Sequence, residues 1–248
     1  MEMGKENMKE YSAFDVIGPI MVGPSSSHTA GATRLGKIAS EIAGQGFIKV
    51  EFHLHGSFAK TYKGHGTDKA LLAGILGFEP DDDRLKNSFQ IAKSKNIDYK
   101  FIETDLGYVH PNTVKLVFNY NDQDDFYVIG SSIGGGSIVI ININGIEVEF
   151  TGIYPTIIVK YKDKKGIISK ITSIIANAEV NIASLKVTRD RNDATMICEM
   201  DSQIDENTIS EISNIEDLSY TRFINTKGSW KRVQYRKRAT KCMQWKQV

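Results

Sequence analysis

The run Gly23-Pro24-Ser25-Ser26-Ser27-His28-Thr29-Ala30 constrains this chain more than any other stretch. Gly-Pro interrupts whatever precedes it, and four hydroxyls and one imidazole follow within five residues. After Thr29, Leu35, Ile38, Ala39 and Ile42 recur at i, i+3, i+4 and i+7, one face of a helix that stops near Gly44-Gln45-Gly46. The hydroxyls therefore sit at a helix N-terminus. There the first backbone N–H groups lack partners and the helix dipole favours negative charge. The same dipole disfavours an imidazolium, so a neutral His28 is expected. The residues alone leave two readings open, a richly capped helix start and a small-anion site.

A second histidine follows a similar pattern. Ile48 to Leu54 alternates, with Val50, Phe52 and Leu54 on one face, which predicts a half-buried strand. His53 and His55 read as solvent-face residues of that strand, since a metal shared between them lacks a third ligand. Gly64-His65-Gly66 reads as a turn that presents His65, and Thr67 as the N-cap of a helix from Asp68 to Leu76. Asp81-Asp82-Asp83 reads as the dipole-matched start of another helix, with Leu85, Phe89 and Ala92 inward.

From Ile97 to Phe150 the pattern is β. Tyr99 to Ile102 is strand-like. His110-Pro111-Asn112-Thr113 is a proline-stiffened turn that places an imidazole, an amide and a hydroxyl within four residues. Thr113 to Tyr120 and Phe126 to Ile129 flank an Asn-Asp-Gln-Asp-Asp turn, and Asn144-Gly145 marks a hairpin between Ile138–Ile143 and Ile146–Phe150. Gly134-Gly135-Gly136 is no phosphate loop, because neither Gly-Lys-Ser/Thr nor a helix follows. A bulge and a close backbone approach to a ligand or partner both remain open for it.

Beyond a short linker at Thr151 to Pro155 the rhythm changes. Thr156–Tyr161, Ile167 to Ala178, Val180–Thr188, Ala194–Met200, a helix capped by Asp205 and Leu218–Ile224 give the order βαββαβ, a ferredoxin-like module. Cys198 alternates with Met196 and Met200 on one strand face and reads as a core thiol. The fold class expected is α+β. Residues 1–150 form an N-terminal α/β domain, 151–225 a ferredoxin-like domain and 226–248 a disordered basic tail.

Charge narrows the function classes. Eight of the 31 basic residues lie in 227–248, which holds no acidic residue, so the rest of the chain carries 23 basic against 30 acidic groups. The body is therefore no nucleic-acid binder, and only the tail, with Trp230 and Trp245 among its basic residues, offers that reading. No apolar run approaches the roughly 20 residues of a membrane span, and Met1 to Glu10 lacks the apolar core of a secretory signal. Two cysteines, Cys198 and Cys242, are too few for a disulfide framework or an ordinary Cys-ligated cluster, which predicts a cytoplasmic protein with no metal held on this chain.

Taken together, the Gly-Pro-Ser-Ser-Ser-His-Thr run, Gly64-His65-Gly66-Thr67-Asp68, His110-Pro111-Asn112-Thr113 and Ser132-Ile133-Gly134-Gly135-Gly136 resemble, in order, motifs of the beta chain of bacterial iron–sulfur-dependent L-serine dehydratases. The resemblance covers roughly residues 11–225, and the 156–224 module is similar to an ACT domain, a regulatory small-molecule-binding unit. The resemblance implies deamination of L-serine to pyruvate and ammonia. It implies a [4Fe–4S] cluster that polarises the serine hydroxyl and whose cysteines lie on an alpha chain. It further implies that His28, His65 and His110 are catalytic. By the same token Ser25, Ser26, Ser27, Thr29, Thr67, Asn112 and Thr113 bind substrate at a subunit boundary. In the ACT-like unit it implies an effector site at Gly166, Asn181 and Ile182, and self-association edge to edge. The N-terminal domain is also similar to an allosteric serine-binding domain of some phosphoglycerate dehydrogenases, so a serine sensor is the alternative. A nucleic-acid-binding regulator acting through the tail is a second alternative.

Overall fold

A computed structural model describes residues 19–224. The tail with Trp230, Trp245 and Cys242 lies outside them, as does the polar lead-in. The hydroxyl run begins as a π-helical turn, Ser26–Gly31, that continues into helix α1, Ala32–Ala43. Its expected stripe is realised, for Leu35, Ile38, Ala39 and Ile42 are all buried. Gly44 then ends the helix with φ 83°.

Strand β1, Lys49–Leu54, buries Val50, Phe52 and Leu54 and leaves the alternate residues half-exposed. Helices α2, Gly56–His65, and α3, Thr67–Ile75, follow. A 3-10 turn, Asp83–Asn87, then leads into helix α4, Ser88–Ser94. Asp82 caps that turn, its Oδ1 accepting from the Arg84 N–H at 2.9 Å. Strand β2, Asp98–Glu103, runs parallel to β1. Strands β3, Thr113–Asn119, β4, Phe126–Gly134, β5, Ser137–Ile143, and β6, Ile146–Phe150, complete a six-stranded sheet in the order β2-β1-β3-β4-β5-β6. Asn144 and Gly145, with φ of 47° and 89°, make the β5–β6 turn. The triple glycine is the tip of the β4–β5 hairpin, all three residues having positive φ.

The helices cover one face of this sheet. Helix α1 crosses α3 at glycines on both sides. A Cβ on Gly36 would stand 2.2 Å from the Leu71 carbonyl oxygen, and one on Gly74 would stand 2.0 Å from that of Thr33. Backbone meets backbone there, and no side chain fits.

The second sheet consists of β7, Thr156–Lys162, β8, Ile182–Asp190, β9, Asp193–Met200, and β10, Leu218–Ile224. Helices α5, Ile167–Asn177, and α6, Glu206–Ser213, interleave in the expected βαββαβ order. The strand order is β10-β7-β9-β8. Ile157, Val159, Tyr161, Met196, Cys198 and Met200 face α5 and α6. Ile158, Ile197 and Ile224 point the other way and join the core of the first sheet. The second sheet is therefore buried on both faces around β7, while β8 forms an edge on which Leu185 is 39 % exposed.

Candidate functional site

The site is built where α1 begins. Ser25 is extended, φ −142°, and its Oγ accepts the His28 backbone N–H at 3.2 Å. Thr29 N–H bonds the Ser25 carbonyl at 2.8 Å. The expected capping is thus observed, in a π-helical rather than an α-helical turn. Such a turn is the kind of helix irregularity that recurs at functional sites. His28 is 9 % exposed. Its Nε2 lies 3.2 Å from Ser57 Oγ and its Nδ1 3.5 Å from Ser25 Oγ. Its ring meets those of Phe58 and His65 edge-on, with centroids 5.2 and 4.8 Å apart. Burial, followed by the neighbouring His65, holds the His28 pKa below the usual histidine value. The imidazole is therefore neutral at pH 7, with a hydroxyl beside each ring nitrogen.

The four motifs meet around this turn. Ser132 Oγ donates to the Ser27 carbonyl at 2.9 Å, and Ser132 N–H donates to the Asn112 carbonyl at 2.9 Å. Ser57 N–H donates to the Pro111 carbonyl at 2.8 Å. Thr113 Oγ1 and Ser131 Oγ share a buried hydrogen bond of 2.7 Å. The 110–113 turn is in this way held between Ser57 and Ser132, both of which touch the His28 turn. His65 is exposed and covers His28 from the solvent side. His110 is exposed too, its Nδ1 accepting from the Asn112 N–H at 3.1 Å. Among the described residues no hydrogen bond joins His110 to His28.

Seven buried side-chain polar atoms of the described residues lack a hydrogen-bond partner, and Thr29 Oγ1, Thr67 Oγ1 and Asn112 Oδ1 are three of them. An orphaned buried polar atom costs about 1–3 kcal/mol. Three of the seven belong to residues of the motifs gathered around His28.

Several expectations change. Thr67 is not an N-cap. Gly66, with φ 68°, closes α2 and opens α3, and Thr67 is the buried first residue of α3. Gly64 and His65 end a helix, Gly56–His65, where a turn was expected, so His65 is presented by a helix C-terminus. His53 and His55 are half-buried and bonded. His53 Nδ1 lies 3.3 Å from Thr104 Oγ1, and His55 Nδ1 accepts from the Leu106 N–H at 3.1 Å. The sequence reading missed Ser57. Its signal was a Gly-Ser pair just after a strand, a hydroxyl at a second helix start.

Cys198 lies 0 % exposed in the second core, and burial, with Glu199 adding to it, pushes its thiol up to about 11. A cluster ligand must be a thiolate. Among the described residues no group of three or more His, Cys, Asp or Glu is placed to hold a metal ion. This donor set does not fit an iron–sulfur cluster. No helix of the described residues is long and apolar enough to cross a membrane.

Gly166, with φ 92°, precedes α5, and Asn181 Nδ2 donates to Asp201 Oδ2 at 2.8 Å. Lys162 pairs with Asp193, and Ile182 with Met200, at the other end of β9. Gly166 and Ile182 thus lie at opposite ends of one sheet, about 20 Å apart along it.

Residues 12–142 match the family described as "Serine dehydratase beta chain", and residues 155–217 match "ACT domain". The chain is 50 % identical over 220 residues to "L-serine dehydratase, beta chain" of Peptoniphilus asaccharolyticus, covering 88 % of this chain and 99 % of that one. It is 41 % identical over 213 residues to "Probable L-serine dehydratase, beta chain" of Bacillus subtilis (strain 168), covering 85 % and 96 %. A "D-3-phosphoglycerate dehydrogenase" of the same Bacillus is 26 % identical over 204 residues, 78 % of this chain but only 37 % of that one. On these matches the chain belongs to the serine dehydratase beta-chain family and carries an ACT domain.

Proposed function

We propose that this chain is the beta subunit of an L-serine dehydratase that converts L-serine to pyruvate and ammonia in the cytoplasm. Its first domain, up to about residue 150, supplies part of the substrate pocket, and residues 151–225 form the ACT domain. The [4Fe–4S] cluster belongs to the alpha partner, which is where the chemistry on the serine hydroxyl is assigned. Within the pocket, Ser25, Ser26, Ser27 and Thr29, at a helix start with unpaired N–H groups, hold the substrate carboxylate. His28, neutral and flanked by the Ser25 and Ser57 hydroxyls, accepts a proton at its unprotonated ring nitrogen. His65 and His110 line the exposed mouth, facing the alpha chain, and Thr67, Asn112 and Thr113 orient the amino group. The observation that carries this reading is the convergence of four separated motifs on His28, three of whose residues keep unpaired buried polar atoms.

Gly166, Asn181 and Ile182 serve one effector only if a second copy pairs along the open β8 edge and brings its Ile182 to the first copy's Gly166. Self-association of the ACT domain is therefore part of the proposal. A serine sensor without turnover is the second reading, favoured by the match to a phosphoglycerate dehydrogenase over most of this chain. Anaerobic pyruvate formation from L-serine separates the two. Turnover only in the mixture of this chain with a cluster-loaded alpha partner supports the subunit reading. No turnover in the mixture, with serine still binding to this chain alone, selects the sensor.

A further inference from the structure

A cleft of about 920 Å³ lies between the two sheets, far from His28. It opens where the C-termini of α1, α3 and α4 converge and is closed on one side by β10 of the ACT domain. Its volume falls within the range of small-molecule sites, about 300–1,000 Å³. Two chemistries line it. Phe47, Ile75, Leu76, Ile97 and Phe223 form an apolar wall. Glu41, Lys37, Lys95 and Arg222 add one carboxyl and three cations, of which Lys37 is paired with Glu79.

The polar groups are unfinished. Glu41 Oε2 and Arg222 Nε are both buried without a hydrogen-bond partner. With the three at the His28 site they make five of the seven orphaned side-chain atoms among the described residues, so the orphans gather at two places. Arg222 stands over the end of α1, where a Cβ on Gly44 would come within 2.9 Å of its Nη2. The C-terminal ends of the helices bring partial negative charge to the cleft, which suits an ammonium. Arg222 and Lys95 suit a carboxylate. A ligand that answers all of these carries an ammonium, a carboxylate and an apolar side chain.

We propose that this cleft binds an apolar α-amino acid, branched-chain or aromatic. The carboxylate meets Arg222 and Lys95, the ammonium meets Glu41 at the negative end of the α1 dipole, and the side chain lies on the Phe47–Phe223 wall. The site is separate from the His28 pocket and from the Gly166 and Ile182 positions. Its occupant bridges the ACT domain and the helix that carries His28. The binding itself does not depend on the dehydratase reading. Only an effect on turnover would.

Calorimetric titration of the full chain with L-isoleucine, L-phenylalanine and glycine tests this. L-isoleucine or L-phenylalanine is expected to bind at least about tenfold more tightly than glycine, which presents the same charges without the side chain. Glu41→Gln and Arg222→Met are each expected to weaken binding at least about tenfold, and His28→Ala to leave it unchanged. Glu41→Gln is close to isosteric, so it keeps the test valid where Arg222→Met does not fold. No heat from either apolar amino acid at millimolar concentration overturns the proposal. So does glycine binding as tightly, undiminished affinity in Glu41→Gln, or loss of affinity in His28→Ala. Turnover with the alpha partner reads the other proposal and is unaffected by any of these outcomes.

Discussion

Glu41→Gln should make the protein more stable, and only at high pH. Burial on the last turn of α1 pushes the Glu41 carboxyl up to about 7 from an ordinary 4.5, with Lys37 opposing and Glu79 reinforcing the rise. Lys37, Lys95 and Arg222 are the other charged groups lining the cleft. Below pH 4.5 the carboxyl is protonated folded and unfolded, so its pKa shift contributes no difference. As the pH rises from 4.5 through about 7 the unfolded chain ionises freely while the folded one resists, and stability falls. The gap between the two values corresponds to a loss of up to about 3 kcal/mol, complete above pH 7. Glutamine keeps the shape and cannot ionise. Urea unfolding of both proteins across pH 5 to pH 8.5 should show curves that nearly coincide at the acid end and separate by up to about 3 kcal/mol at the alkaline end. A separation that stays constant with pH would show that Glu41 is not the strained ioniser in this cleft, and the desolvation argument would fail with it.

Gly74→Ala should cost about 3 kcal/mol or more, because its Cβ meets the backbone of α1 at Thr33 and Lys37; thermal unfolding measures this, and a neutral result would mean the crossing is looser than described. His28 should titrate below 6.5 by NMR, and His65→Ala should raise its midpoint part of the way, since burial remains the larger cause; the protein should accordingly lose stability as the pH falls below 6.5 through the depressed midpoint. Cys198 should resist alkylation in the folded protein at pH 8 and react on unfolding, as a buried thiol with a pKa near 11 must; rapid labelling of the native state would contradict its place in the second core.

What was legible in the sequence was what periodicity controls. Helix α1, strand β1 and the βαββαβ order were visible because alternate or helical spacing of apolar residues records which face is buried. Helix α2 was invisible for the same reason. Of its ten residues only Phe58 is buried, and glycines stand at 56 and 64, so no stripe exists to read. Its first turn is fixed from outside, with Ser57 and Phe58 N–H groups both directed at the Pro111 carbonyl. The Thr67 error has a related cause. Threonine before an acidic residue looks like a cap, but Gly66 could take the left-handed conformation that joins two helices and Thr67 could not do so cheaply. The site divides likewise. The His28 turn could be read locally, because helix starts select hydroxyls. Ser57 could not, because its role depends on a contact across 29 residues. Nothing local marks the cleft at all, since Glu41 and Arg222 come from different sheets' worth of chain and meet only through the docking of β10.

The polarity of α1 explains why its two ends differ. The first turn has donors to satisfy, and the sequence supplies the Oγ and the carbonyl of Ser25 for the His28 and Thr29 N–H groups. The last turn has acceptors to satisfy, and the sequence supplies two donors from distant parts of the chain and one from the C-cap itself. Tyr120 Oη donates to the Ala43 carbonyl at 2.9 Å, Tyr220 Oη donates to the Ile42 carbonyl at 3.1 Å, and the Gly44 N–H bonds the Ser40 carbonyl at 2.9 Å. Tyr220 belongs to the ACT domain and stacks near Phe126 of the first sheet, with ring centroids 6.3 Å apart. The second sheet is therefore fastened to the C-terminal end of the helix whose other end builds the His28 site. Removing the Tyr220 hydroxyl would strip one cap, at about 1 kcal/mol, take a partner from Arg222 and loosen that fastening without touching the residues around His28. A Tyr220→Phe chain whose His28 titration stayed unchanged would show the fastening to be structural only, whereas a shifted midpoint would show that the two ends of α1 are felt by one another.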